Sequence, residues 1–259
     1  MIRFAEKNNM KQTKILVLIT LCMFAKGIKG QTIITDRPDQ TESSSTVSQG
    51  TLQLETGVLV EYSPDGASSQ SRILAPTTLF RYGLNKAVEF RLLSQFESIK
   101  SPWATKSIKG ISDLEIGTKI QLLKQEGVNT EIAILSHLIL PTGSRGLSSD
   151  KYGTINKLSI SHQVSEQTSF GYNVGYNYFD LGKGNLTYSA ALGVTVNSKV
   201  GIYLEPYGEL IDLNVYQASF DAGFTYLIKD NFQLDFSFGT GINYKMNYLS
   251  AGFSWSTGK

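Results

Sequence analysis

The sequence predicts an all-β protein, an antiparallel up-and-down transmembrane β-barrel of about twelve strands. Three observations predict it. Apolar and polar residues alternate with a period of two, the alternating segments run for about eleven residues, and the connections between them alternate between long and short. Such alternation indicates strands with one apolar face, and about ten residues suffice for a tilted strand to cross a bilayer.

The alternation begins after Gly50 and continues to the end of the chain. Phe170, Tyr172 and Val174, for example, alternate with Gly171 and Asn173. The predicted strands are 51–62, 72–82, 87–97, 111–122, 129–140, 154–164, 168–179, 186–197, 200–211, 215–227, 232–242 and 247–256. An even number of strands is typical of bacterial outer-membrane barrels.

The connections support the same interpretation. Those near 63–71, 98–110 and 141–153 are long, whereas those at 83–87 and 165–167 are short. Outer-membrane barrels have long extracellular loops and short periplasmic turns. We therefore expect the first strand to start at the periplasmic side.

A soluble β-sandwich is the alternative, since its strands would also alternate. Long strands, an aromatic apolar face and a second face of Gly, Ser and Asn favour the barrel. The mean hydropathy of −0.11 is too low for a bundle of transmembrane helices. The register stays open near Pro76 and Pro206, which cannot donate to a strand ladder, and in 129–140, which is apolar on both faces.

Residues 1–30 have the features of a secretory signal peptide. Basic residues precede the short apolar run Ile15–Ala25, which is too short to span a bilayer, and small residues follow it. We expect export to the bacterial cell outer membrane, with cleavage before Gln31.

Removal of this segment changes the charge and the cysteine content. The chain has 24 Lys/Arg and 22 Asp/Glu, of which the first thirty residues hold six and one, leaving 18 basic and 21 acidic residues. This balance gives no support for nucleic-acid binding. The single cysteine, Cys22, lies in the signal, so no disulfide is expected.

Residues 31–49 form a polar N-terminal segment that contains the hydrophilic stretch TDRPDQTESS. The candidate residues in it are Asp36, Arg37, Asp39 and Glu42. Two interpretations stay open. The segment is either a solvated periplasmic extension, available to a periplasmic partner, or a plug that folds back into the lumen. Residues 50–259 then form the barrel.

Charged residues on the polar face are concentrated in the first strands. They are Glu55, Arg81, Glu89, Arg91, Asp113, Glu115 and Lys119. A lipid-facing Arg or Lys costs about 2–4 kcal/mol at the bilayer midplane, so we expect these residues to face a wet or paired interior. They are either a selectivity lining for a polar or anionic solute, or a self-neutralising network that fills a narrow barrel. A later acidic group comprises Glu205, Glu209, Asp221 and Asp235.

The sequence offers no catalytic residue, cofactor or metal site. Only His137 and His162 are present, and neither has a Ser two positions after it on the same strand face. Two histidines without cysteine argue against a zinc site. An outer-membrane lipid hydrolase is therefore only a remote alternative.

The segment 35–44 and the first strand carry a family resemblance. They join a TDRPD-type opening to a G-x-x-Q-x-E-x-G strand, and Pro76–Leu92 and Leu140–Gly143 are also similar to family segments. The strand motif consists of Gly50, Gln53, Glu55 and Gly57. The chain resembles the outer-membrane transporter-like family labelled "putative MetA-pathway of phenol degradation".

This resemblance implies a barrel that passes a small solute, hydrophobic or aromatic compounds included. The expected function is a passive channel embedded in outer-membrane lipid. The alternative is a closed structural or interaction barrel without transport.

Overall fold

The computed structural model describes residues 33–64, 69–102, 105–124, 130–180 and 182–257. The predicted signal peptide, its cleavage site before Gln31 and Cys22 lie outside these residues. Within the described ranges, no helix is long and apolar enough to cross a membrane.

Strands account for the regular structure of the described residues. They are β1 (Leu52–Ser63), β2 (Gln70–Gly83), β3 (Val88–Lys100), β4 (Ile108–Ile111), β5 (Leu114–Lys124), β6 (Thr130–Leu140), β7 (Gly153–Gln163), β8 (Thr168–Tyr178), β9 (Asn185–Thr195), β10 (Val200–Ile211), β11 (Val215–Lys229), β12 (Phe232–Gly241) and β13 (Asn247–Ser256). Each predicted strand coincides with one of these to within about three residues.

The sheet closes into a ring. Apart from β4, strands that follow one another in the chain pair antiparallel, and β13 pairs with β1 from Gln53 to Tyr62. The short strand β4 is additional. It pairs with Phe96–Ile99 near the end of β3, whereas β5 pairs with Val88–Leu93 at the start of β3. The prediction of an antiparallel barrel of about twelve strands is confirmed, with β4 as a thirteenth strand beside the ring.

The two faces of the wall have opposite polarity. On β12, Leu234 and Phe238 are exposed, whereas Gln233, Asp235 and Ser237 are almost completely buried. A water-soluble fold places its apolar side chains inside, so this inverted arrangement is that of a barrel facing hydrocarbon. The β-sandwich alternative fails, since the apolar faces share no core: Phe90, for instance, is 38% exposed.

The two prolines within strands, Pro76 and Pro206, lie where the strand pairing is interrupted. On β2, the register with β3 passes from Leu74 directly to Thr77 and so omits Pro76. Pro206 pairs with Phe220 on β11, whereas the β9–β10 register omits it. Proline lacks the N–H that a continuous ladder requires, which explains these interruptions.

Strand β6 is apolar on both faces in its middle portion. Ala133 and Leu135 face the interior and are buried, whereas Ile134 and Leu138 are exposed on the outside. The sequence pattern was ambiguous here because the inner residues are hydrophobic like the outer ones.

The inverted polarity leads to a test at Val174, which is 52% exposed near the middle of β8. We expect Val174→Arg to lower the free energy of unfolding by about 2–4 kcal/mol, because the charge would lie in hydrocarbon. Urea unfolding in lipid vesicles measures this change. The control, Val164→Arg, lies in the turn after β7 and should cost about 0–1 kcal/mol. Equal costs at both positions would contradict a membrane-facing wall.

Candidate functional site

Residues 33–49, called the inner segment below, lie inside the ring of strands. Four of its backbone N–H groups mark its path by donating to wall side chains. Asp36 donates to Glu55 on β1 at 2.9 Å, Gln40 to Glu205 on β10 at 2.7 Å, Glu42 to Asn173 on β8 at 2.7 Å and Val47 to Glu89 on β3 at 2.8 Å. The segment thus follows the inner wall round the barrel.

The inner segment returns to the short-turn rim before β1 begins. Gln49 forms a parallel bridge with Gly83 at the end of β2, and the Gly50 N–H donates to the Gly83 carbonyl at 2.8 Å. A Cβ at Gly83 would lie 2.2 Å from the Ser48 carbonyl oxygen. The close approach of the two backbones therefore requires glycine at this position.

Asp36 is the centre of a cationic cluster. Its Oδ2 lies 2.6 Å from Arg91 Nη1, 2.8 Å from Lys119 Nζ and 3.2 Å from Arg81 Nη1. Burial raises the pKa of the Asp36 carboxyl, but Arg81, Lys119 and Arg91 outweigh burial and hold that pKa well below its usual range. Asp36 is therefore a carboxylate, bound to three buried cations at once.

Wall carboxylates complete the network. Arg81 binds Glu55 and Glu89, each at 2.9 Å, and Arg91 binds Glu89 and Glu42, also at 2.9 Å. The four wall members of this set are almost wholly buried. Buried charges are tolerated when they are paired and hydrogen-bonded, so each member depends on the others.

Glu115 joins the network through His137. The Arg91 Nε–H donates to His137 Nε2 at 2.9 Å, so His137 carries its proton on Nδ1 and donates it to Glu115 at 2.9 Å. The sequence presents His137 as a candidate catalytic residue and as a candidate zinc ligand, and favours neither role. In the structure it orients Arg91.

Asp113 does not belong to this network, although the sequence grouped it with the lumen charges. It lies between β4 and β5, where its carboxylate accepts hydrogen bonds from the Gly143 N–H at 2.8 Å and the Ser149 N–H at 2.9 Å. The prediction treated 111–122 as one strand, but the chain breaks there and turns Asp113 toward the loop. Asp113 therefore stabilises the long loop before β7.

Arg37 anchors the inner segment to β12 and β13, the strands that follow β1 round the ring on the side away from β2. Its guanidinium binds both carboxylate oxygens of Asp235, at 2.8 and 3.3 Å, and donates to Ser250 at 3.1 Å. A Cβ at Gly57 or Gly252 would lie 2.5 Å from Arg37 Nη2. These two glycines leave the space that the guanidinium occupies.

Carboxyl groups face one another beside the middle of the inner segment. Glu205 accepts hydrogen bonds from the Gln40 N–H and, at 2.5 Å, from the Thr41 hydroxyl, and Asp221 accepts one from the Tyr248 hydroxyl at 2.5 Å. Burial raises the pKa of Asp39 well above its usual value, and Glu205 and Asp221 raise it further. The Asp39 carboxyl is therefore stabilised in its neutral form.

Neutral wall residues also hold the segment, and sequence reasoning did not identify them. The Thr41 hydroxyl, which donates its proton to Glu205, is also hydrogen-bonded to the Ser189 hydroxyl at 2.7 Å, and Ser44 is hydrogen-bonded to Ser161. Their only signal was a polar residue at an inward-facing strand position. Many other serines and asparagines share that signal, so these could not be singled out.

Cavities lie on both sides of the inner segment. One of about 530 Å³, toward the short-turn rim, is lined by Thr41, Ser161 and Tyr203 among others. Another of about 170 Å³, toward the long-loop rim, is lined by Gln40 and Tyr207 among others. Residues 40–41 therefore separate two spaces within the lumen. Among the described residues, no group of three or more His, Cys, Asp or Glu has the arrangement of a metal site.

The role of Asp36 can be tested with Asp36→Ala. Because three buried cations would lose their common partner, we expect the inner segment to be held less tightly by about 3–5 kcal/mol. Faster amide hydrogen exchange at Gln40, Glu42 and Val47 measures the loss. The control, Asp180→Ala, removes an exposed ion pair with Lys151 and should cost at most about 1 kcal/mol. Unchanged exchange in Asp36→Ala would show that the cations do not retain the segment.

The raised pKa of Asp39 predicts a pH dependence. A carboxyl whose pKa is raised in the folded state stabilises that state at low pH, and the contribution is lost as pH rises above the ordinary value of 3.8. The pKa of Asp36 is lowered instead, so the stabilising contribution of the Asp36 carboxylate is lost only as pH falls below that value. We therefore expect Gln40 amide protection, corrected for intrinsic exchange, to fall as pH rises. Asp39→Asn should remove this dependence, and a dependence that persists in the variant would assign it to another group.

Comparison with known proteins supports this description. The sequence matches the family described as "Putative MetA-pathway of phenol degradation" over residues 35–256. No curated protein matches the chain.

Solved structures share the fold. The COG4313 outer membrane channel from Pseudomonas putida F1 is similar, with a TM-score of 0.64 at 13% identity over 85% of this chain and 100% of that one. The KdgM porin in complex with disordered oligogalacturonate has a TM-score of 0.54 at 13% identity, covering 78% of this chain and 98% of that one. The NanC porin has a TM-score of 0.51 at 11% identity, covering 77% and 98%.

The family match begins at Thr35, within the inner segment, and ends at Ser256, the last residue of β13. The family thus covers both the segment and the ring, in agreement with the resemblance read from the sequence. The chain belongs to the family described as "Putative MetA-pathway of phenol degradation".

Proposed function

We propose that the protein is a passive channel of the bacterial outer membrane, which admits a small solute through a lumen that the inner segment partly fills. The observation that carries this proposal is a closed ring with an apolar exterior, a charged interior and cavities on both sides of one short segment. Such a wall separates lipid from a polar path.

The location follows from the same wall and from the predicted export signal in residues 1–30. Exposed apolar side chains on the outer face would contact outer-membrane lipid. The similar channel and porin structures share the barrel architecture, at low sequence identity. This similarity supports the fold of a channel. The solute of this chain has to be inferred from the residues of its own lumen.

Enzymatic activity is not part of the proposal. His137 is held between Arg91 and Glu115, which leaves neither ring nitrogen available to activate a nucleophile. Ser161 is hydrogen-bonded to Ser44 inside the barrel, whereas His162 is adjacent in sequence and lies on the other strand face.

The inner segment acts as the plug of this channel. Ion pairs through Asp36 and Arg37 fix its first half to β1–β5 and to β12. Its middle, from Gln40 to Glu42, is held by hydrogen bonds to β8–β10. Glu42 also forms an ion pair with Arg91, whereas Gln40 and Thr41 are held by hydrogen bonds without an ion pair. Since such hydrogen bonds are weaker than buried charge pairs, passage would open beside residues 40–41. The segment also reaches the short-turn rim, where a periplasmic partner could bind it.

A closed structural barrel is the second candidate. The buried ion pairs of Arg81, Arg91 and Lys119 favour it, because these side chains are almost wholly buried and occupy one side of the lumen. In that case the polar interior would stabilise the barrel, and the outer loops would bind partner molecules.

Single-channel conductance distinguishes the two candidates. We expect stepwise currents from the refolded protein in planar bilayers, and clearly larger steps after deletion of residues 33–47, since the deletion removes the obstruction. Asp180→Ala, at an exposed ion pair, should conduct like the unmodified protein. Silence of both the intact and the deleted protein, with a folded barrel verified by circular dichroism, would exclude a channel.

A further inference from the structure

The cavity toward the long-loop rim has the composition of a ligand site. Gln40 of the inner segment lines one side of it, and the wall and a loop supply Lys157, Asn177, Tyr207, Glu209, Gln217 and Tyr244. It shares Gln217 and Tyr244 with a larger cavity at the mouth of the barrel. A solute entering from that rim would meet this cavity before reaching the inner segment.

We propose that this cavity binds a single six-membered ring that carries hydroxyl groups. The inference rests on the proposed channel function, because it assigns the solute class that the channel admits. It also makes the cavity the first selective site on the path.

The size of the cavity limits the ligand to one ring. Its volume is about 170 Å³, and a protein cavity of about 150 Å³ is sufficient for benzene.

Two tyrosine rings supply the apolar part of the site. Tyr207 projects inward from β10, and Tyr244 reaches back from the loop between β12 and β13. The Tyr244 hydroxyl is fixed by a hydrogen bond with Ser219 at 2.8 Å. Aromatic side chains offer flat faces against which a ring can stack, whether that ring is aromatic or aliphatic.

Polar groups around the cavity favour hydroxyl groups on that ring. Asn177 Oδ1 is buried and has no hydrogen-bond partner among the described residues, so it can accept a proton. Lys157 Nζ lies 3.9 Å from Glu42 and can donate, and Glu209 accepts from Asn185 at 3.0 Å with capacity for more. A hydroxyl both donates and accepts, whereas a hydrocarbon would leave these groups desolvated and unpaired.

An aromatic and an aliphatic ring can both carry such hydroxyl groups, and a binding experiment distinguishes them. Catechol represents an aromatic hydroxylated ring, myo-inositol an aliphatic one, and toluene a ring without hydroxyl groups. Dissociation constants are measured by saturation-transfer NMR on the full-length protein in nanodiscs. Empty nanodiscs correct for partitioning into lipid.

We expect catechol, myo-inositol or both to bind, with affinity reduced about tenfold by Tyr207→Ala through the loss of the stacking face. Asn177→Ala should also weaken binding, because it removes an acceptor. Tyr226→Ala is the matched control, since Tyr226 is a 38% exposed outer tyrosine on β11. Heat-modifiable migration on gels verifies that every variant is folded.

The outcomes decide the proposal. Binding of catechol alone or of myo-inositol alone supports it and assigns the ring type. It is overturned if neither ligand binds, if Tyr207→Ala and Tyr226→Ala bind equally, or if toluene shows the same loss in Tyr207→Ala. Because binding is measured without current, a silent channel that still binds would refute the channel function and leave the site in place.

Discussion

Pairing of buried charge is the constraint on which the interior depends. Arg81, Arg91 and Lys119 project from strands whose other face meets hydrocarbon, so they must find partners inside the ring. The wall carboxylates Glu55 and Glu89 neutralise part of this charge, and Asp36 of the inner segment contacts all three cations. The barrel and its inner segment therefore form one electrostatic unit.

The inner segment is held asymmetrically, and this gives the lumen two different sides. Toward β1–β5 the contacts are buried ion pairs. Toward β8–β10 they are hydrogen bonds from Gln40, Thr41 and Glu42 to wall side chains, beside the carboxyl groups of Glu205 and Asp221. Both cavities adjoin this second side. A solute path is thus favoured beside Gln40 and Thr41, which form hydrogen bonds but no ion pair, and the ion-paired side serves as the anchor.

Much of the wall could be predicted from the sequence, because strand polarity is a local property. Alternation placed the strands to within about three residues, and it identified Glu55, Arg81 and Lys119 as inward-facing. It failed at Asp113, which lies in the break between β4 and β5 and accepts a hydrogen bond from the Gly143 N–H of a distant loop. It also left the segment 31–49 open between a periplasmic extension and a plug.

The sequence by itself determined the period of two, the strand lengths, the long and short connections and the opening that relates the chain to its family. Only the tertiary structure decided which charges meet. Arg37 and Asp235 are 198 positions apart, and no local pattern relates them. Strand faces follow from neighbouring residues, whereas the partners of a buried charge follow from ring closure, which brings distant strands around the inner segment.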